Sequence, residues 1–219
     1  MTFTNQQGII IPYRIITTIQ DNKQYLSDID GAIGDGDHGI NMSKGMTIAK
    51  ENMNQATTMS EGLQQIQLAL MNKIGGSMGP LYGMMFRGMV QASKKYSLID
   101  GFVIEQMLNT ALSNLQSITD AKPGDKTLLD VLQPAVQAYQ QAYQATQNSE
   151  QSIHAMLAAA DNGLENTKHM IAKLGRASRL KERSLHHQDA GATSCNLILH
   201  AIAEGILSIN QEETACNDL

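Results

Sequence analysis

The sequence predicts an all-α fold in a single domain. Three observations carry this. Valine, which favours strands, occurs only at Val90, Val103, Val131 and Val136, whereas Ala, Leu, Met and Gln are plentiful. Apolar residues recur at spacings of three and four. Leu128, Leu132, Ala135, Val136, Tyr139 and Tyr143 do so in one segment, and Ile153, Leu157, Ala160, Leu164, Ile171 and Leu174 in the next. No long strand pattern, internal repeat or linker interrupts this periodicity.

Helices are expected at about 9–28, 40–54, 59–74, 80–96, 103–119, from 127 onward, from 151 to 174, and at 190–209. Pro80 suits the start of its helix, and Gly175 the end of the one before it. Asp125 or Thr127 is the expected cap of the helix that follows the Pro-Gly turn. The 219 residues are enough for one domain with a sizeable core, here 1–209. Residues 210–219, "NQEETACNDL", read as a flexible acidic tail.

Composition narrows the function classes. The net charge is −5, so there is no basic excess to suggest nucleic acid, and nothing in the charge pattern suggests a membrane surface. No run of 18 apolar residues occurs, and the N-terminus lacks the basic start of a signal peptide. Cys195 and Cys216 form neither a disulfide framework nor a metal-ligand spacing, so a cytoplasmic protein is expected.

Residues 34–39 read "GDGDHG", which matches the G-x-G-x-x-G of a dinucleotide-binding loop. That loop needs a buried strand before it, but the preceding residues are "YLSDIDGAI". It would also set Asp35 and Asp37 against a pyrophosphate. A P-loop is excluded because no G-K-[ST] follows, and an EF-hand because Met46 would stand where a bidentate glutamate is required. The acids suggest another account. Asp30, Asp35 and Asp37 fall within eight residues and would repel one another unless a cation neutralised them. Mg²⁺ takes oxygen ligands of this kind and often bridges carboxylates to phosphates. The loop alone leaves two readings open, a metal site and an exposed Asp/Gly turn.

Three further segments carry glycine or basic residues. "KIGGSMGPLYG" (73–83) opens a helix whose free N–H groups, with Ser77, can hold phosphate oxygens; it reads equally well as a tight interhelical turn. "KPGDKTLLDV" (122–131) reads as a loop and helix cap. "GRASRLKERSLHHQDAGATS" (175–194) is the one concentrated basic stretch, suited to phosphates or to a partner's carboxylates, and equally to a solvated loop.

Together, "IDGAIGDGDHGINM", "IGGSMGPLYG", "PGDKTLLDV" and "GRASRLKERSLHHQDAGATS" resemble, in order and spacing, the ADP-binding L subunit of bacterial dihydroxyacetone kinase. The resemblance implies a barrel of eight antiparallel helices with a nucleotide at one end. It implies that Asp30, Asp35 and Asp37 hold two Mg²⁺ ions, and that His38, Gly39, Ile40 and Asn41 lie against the nucleotide. It further implies nucleotide contacts at Gly76, Ser77, Met78, Thr119, Leu128, Arg176, Gln188, Asp189 and Ala190. Apart from the metal ligands it supplies no catalytic base or nucleophile.

The implied activity is phosphoryl transfer from bound ADP/ATP to dihydroxyacetone on a separate K subunit. The ADP is then rephosphorylated in place by a phosphohistidine on an M subunit. An alternative from the same resemblance is a nucleotide-bound protein that contacts a transcription regulator without turnover of its own. Two departures stand out. "GGSMGP" replaces the usual G-G-A-S-G-P, which moves the hydroxyl to Ser77 and puts Met78 where serine is expected. "HQDAGA" replaces H-Q-D-P-G-A at Ala190.

Overall fold

The computed structural model describes the backbone of residues 1–217 and the side chains of residues 1–211. The helices are α1 (Ile10–Asp21), α2 (Lys23–Ile33), α3 (His38–Glu51), α4 (Met59–Lys73), α5 (Met78–Ser93), α6 (Gly101–Gln116), α7 (Leu129–Thr146), α8 (Ser149–Asn166) and α9 (Ala190–Asn217). Two short strands, β1 (Thr2–Thr4) and β2 (Leu98–Asp100), pair antiparallel with Phe3 opposite Ile99.

Packing partners close the helices into a ring. Each of α3 to α8 packs on the next, α8 packs on α9, α9 on α1, and α1 back on α3. This is the expected all-α barrel, with α2 laid against α3 and α9 as an addition to the ring. The stripes that close it are those of the sequence pattern. In α1, Ile11, Ile15, Ile16 and Ile19 are all buried, one face at spacings of three and four. Tyr82, Phe86 and Tyr139 are the largest of the fully buried side chains. The apolar helix α9 is long enough to cross a membrane by length and composition, but 72% of that window is buried, so it is a core helix of the barrel.

Several boundaries differ from the sequence expectation, each for a local reason. The helix expected over 9–28 is two, broken at Asn22, whose side-chain amide donates to the Thr18 carbonyl at 2.8 Å and closes α1. α2 then runs on to Ile33, so Asp30 sits in its last turn and not in the glycine loop. The helix expected to reach 174 stops at Asn166, where Thr167 turns its hydroxyl back to the Leu164 carbonyl at 2.7 Å. Ile171 and Leu174 are exposed loop residues, and their place in the periodicity is coincidental. Gly175, with φ +68°, lies in that loop and ends no helix.

Pro80 falls in the first turn of α5, which begins at Met78. Neither Asp125 nor Thr127 is the N-cap of α7. The buried Asp130 of its first turn reaches back instead, accepting from the Thr127 N–H at 2.7 Å and the Gly124 N–H at 2.5 Å. α9 continues past 209 to Asn217, so the segment expected as a tail is helical over 210–217; its side chains beyond 211, and residues 218–219, lie outside the described residues.

Two contacts set helix placement. Thr58 and Glu61 form a reciprocal capping box at the start of α4. At Gly88 the backbones of α5 and α6 touch, since a Cβ there would come within 2.5 Å of the Ala111 nitrogen and the Thr110 carbonyl oxygen. Gly88→Ala should gain at most about 1 kcal/mol in helix propensity and lose about 1–3 kcal/mol to the forced separation. Urea denaturation should show a net loss. Thr58→Ala should cost about 1 kcal/mol in the same assay.

Candidate functional site

α2 ends and α3 begins around "GDGDHG". The turn between them is tight. The Gly34 N–H donates to the Asp30 carbonyl, and Gly36, with φ +76°, reverses the chain between Asp35 and Asp37. The His38 N–H donates to Asp30 Oδ2 at 3.2 Å, which ties the start of α3 to the end of α2. Gly39 allows the two helices to meet, because a Cβ there would lie 2.0 Å from the Lys23 carbonyl oxygen. The result is that one oxygen from each of Asp30, Asp35 and Asp37 lies within 4.8 Å of the others.

These are hard oxygen donors, half-buried or exposed, and close enough to share a cation. Mg²⁺ binds such oxygens at about 2.1 Å and keeps several positions for water or phosphate. The donor set therefore fits the metal. The one cation that meets it directly among the described residues is Arg176, whose guanidinium pairs with Asp35 and approaches Asp37 Oδ2 at 3.4 Å.

The cluster forms one wall of a cleft of about 670 Å³. Four helix junctions meet here, those of α2–α3, α4–α5, α6–α7 and α8–α9, because alternate connections of an up-and-down ring share an end. Gly76, Ser77 and Met78 at the start of α5 form a second wall; Thr119 and Leu128 lie on the α6–α7 connection, and Arg176, Asp189 and Ala190 close the far side. His38 and Asn41 line it as well. Ser77 is the N-cap of α5, makes no capping bond with its side chain, and lines the same cleft.

Three residues expected against a nucleotide do not line the cleft. Gly39 is buried between helices, and Ile40 is 52% exposed on the outer face of α3. Gln188 accepts a hydrogen bond from the Tyr25 hydroxyl at 3.3 Å. Other lining residues are not among the contacts expected from the sequence. Ile33, Leu81, Ala121, Leu129 and Leu174 make an apolar wall, and Tyr82 and Lys126 bring polar groups. Leu81, Tyr82, Lys126 and Leu129 lie inside the quoted glycine-bearing segments without being singled out there, and Leu174 reads in the sequence only as a helix-stripe residue.

The floor of the cleft is a buried polar chain. His38 Nε2 lies 2.7 Å from Ser194 Oγ, which lies 2.6 Å from the Tyr82 hydroxyl; that hydroxyl also donates to the Gly191 carbonyl at 2.8 Å. Burial pushes the His38 ring down to about 4, so it is neutral at pH 7 and adds no positive charge beside the carboxylates. Burial pushes the Asp189 carboxyl up to about 6, and its Oδ2 accepts the Ala192 N–H at 2.7 Å, capping α9.

A family model described as the DAK2 domain matches residues 32–204. The chain belongs to the DAK2 domain family. The match takes in Asp35, Asp37 and every helix from α3 to α8. This DAK2 domain is 36% identical over 188 residues to the ADP-binding subunit DhaL of a PEP-dependent dihydroxyacetone kinase of Listeria innocua, covering 85% of the chain and 89% of that subunit. It is 33% identical over 182 residues to the corresponding Escherichia coli subunit, covering 82% and 87%.

Among solved structures it resembles the dihydroxyacetone kinase of C. freundii, with a TM-score of 0.69 at 24% identity. The alignment covers 92% of this DAK2 domain and 35% of that kinase, so the domain spans about a third of the larger chain. The same kinase in complex with AMP-PNP and Mg²⁺ aligns with a TM-score of 0.68 at 22% identity, covering 93% and 34%. Both likenesses establish the fold.

Tyr82→Phe removes the hydroxyl that links Ser194 and Gly191 at the base of the cleft. It should cost about 1 kcal/mol of stability, measured by chemical denaturation, with the all-helical circular dichroism spectrum retained.

Proposed function

We propose that this protein is the nucleotide-holding subunit of a dihydroxyacetone kinase, working in the cytoplasm with separate subunits. In this reading it keeps ADP/ATP and two Mg²⁺ ions in the cleft. A K subunit presents dihydroxyacetone to the γ-phosphoryl group, and a phosphohistidine on an M subunit recharges the ADP in place. The observation that carries the reading is the facing of three close carboxylates and the start of α5 across one cleft. The 36% and 33% identity to DhaL subunits over most of their length supports it.

Each wall has a task in this scheme. Asp30, Asp35 and Asp37 would hold the metal, which when bound offsets phosphate charge and polarises the transferred group. The first N–H groups of α5, at Met78 and Gly79, have no partner within the helix and point their dipoles at an anion. Pro80 has no N–H to contribute and sits where none is needed. Ser77 adds a hydroxyl one position earlier than the family pattern, on the same wall. The apolar wall of Ile33, Leu81, Ala121, Leu128 and Leu129 suits the face of a base.

Arg176 already lies on two of the carboxylates and carries a permanent charge, so it can follow the phosphates as charge builds up on them. His38 is neutral, with its Nε2 committed to Ser194. His38 is thus not placed as a base for the sugar hydroxyl, and in this reading that proton falls to the substrate-bearing partner.

Denaturing the purified protein should release ADP, detected by mass spectrometry of the supernatant. Asp35→Ala combined with Asp37→Ala should yield protein with no bound nucleotide and no phosphoryl transfer in a reaction reconstituted with K and M subunits. Retention of both nucleotide and transfer by that variant would refute the reading.

A further inference from the structure

Lys126 is buried, 1% exposed, in a loop whose sequence reads as a simple helix cap. Its backbone adopts φ +62°, a left-handed conformation that a lysine seldom takes without compensation. The compensation is at the other end of the side chain. Nζ donates to the carbonyls of Met170 at 3.2 Å, Ser184 at 2.5 Å and His187 at 2.7 Å. An ammonium has three N–H donors, and all three are used. Among the described residues no carboxylate lies within ion-pair distance of it, so its direct partners are backbone dipoles, with the Asp189 carboxylate acting on it from farther off.

The three carbonyls mark the two feet of one loop. Met170 precedes it, and Ser184 and His187 close it. Between them the chain runs out along the cleft wall through Leu174, Gly175, Arg176 and Ala177, then returns in a short helical stretch (Ala177–Ser184) packed on α2. The feet are laced together, with Ala172 N–H donating to Ser184 Oγ at 2.9 Å and His186 N–H to the Lys168 carbonyl at 2.7 Å. The residue beside Lys126 is tied to the same loop, since Lys173 N–H donates to the Asp125 carbonyl at 3.1 Å and its ammonium pairs with Asp125 Oδ1 at 2.8 Å. Arg176 itself is exposed, and among the described residues its guanidinium is held by Asp35 and Asp37.

We propose that Lys126 is the positioning residue that holds the 170–187 loop closed at its base and so sets Arg176 over the carboxylate cluster. It acts through Arg176 and not on a phosphate, because no N–H of its ammonium remains to donate. Its effect on nucleotide rests on the function proposed above, whereas its effect on the loop does not.

Two measurements test this on the full chain. In hydrogen–deuterium exchange of nucleotide-free protein, Lys126→Met should speed exchange of the hydrogen-bonded amides of Ala172, Lys173 and His186 by about ten-fold or more, with α4 to α6 unchanged. Wild-type exchange rates in the loop would overturn the proposal. In calorimetric titration of nucleotide-stripped protein with ADP and Mg²⁺, Arg176→Ala should weaken binding in the wild-type background and change it by less than about two-fold in the Lys126→Met background. Equal weakening in both backgrounds would overturn it, since a general loss of stability would leave the Arg176 effect intact. If nucleotide-stripped wild-type protein binds no ADP with Mg²⁺ and the purified protein releases none on denaturation, the nucleotide reading falls and the exchange result alone judges the anchor. Should Lys126→Met fail to fold, nitrogen-15 NMR of the wild type decides. The Lys126 ammonium, assigned through bonds from its own backbone amide, should exchange its protons far more slowly than the surface lysines. Exchange as fast as theirs would overturn the anchor.

Discussion

Three carboxylates that would rather be apart are held with one oxygen each within 4.8 Å. At that separation each pair repels by roughly 1 kcal/mol in bulk water and about 4 kcal/mol at an effective dielectric near 20. No single loop could hold this alone. The cluster persists because Asp30 is fixed in the last turn of α2, Asp37 leads directly into α3, and the His38 N–H bridges the two ends. Gly39 brings those helices into backbone contact, so Asp30 and Asp37 cannot move apart freely without separating α2 from α3. The same concentration of negative charge makes the end of the barrel a place for cations, and Arg176 answers it first.

The barrel is the device that makes such a cluster useful. A ring of helices presents alternate connections at one end, and each supplies a different chemistry there. One gives carboxylates, one gives the N–H groups at the start of α5, one gives an apolar surface, and one gives a guanidinium. The core that sets their spacing is ordinary in content, with isoleucine, methionine and leucine stripes and two buried tyrosines. Tyr82 belongs to both, packed in the core and bonded through Ser194 to His38 on the floor of the cleft. Packing and site geometry are therefore coupled through one side chain.

Most helices could be read from the sequence because their stripes are local. Where the reading missed, a side chain competed with the backbone or a period ran on by chance. Asn22 broke one expected helix, and Ile171 and Leu174 prolonged another on paper although both are exposed in the loop. The acids of "GDGDHG" were legible through their spacing alone, although the placement of Asp30 on a helix was not. Gly39, Ile40 and Gln188 share the motifs of their neighbours yet are not among the residues that line the cleft, since a motif names a stretch and the backbone decides which members reach it.

The sequence by itself determined the all-helical class, the close spacing of Asp30, Asp35 and Asp37, and the glycine turn before α5, because each depends on residues within a few positions of one another. Only the tertiary structure decided what faces the acids. Thr119, Ala121 and residues 126–129, 174–177 and 189–191 reach the same cleft through the closure of the ring, over separations no local pattern encodes. It also decided the role of Lys126. A lysine in a Pro-Gly loop reads as surface until three carbonyls from 44 to 61 residues away converge on its ammonium. The physical reason is that a buried charge must find its partners wherever packing brings them, and packing here is a property of the whole ring.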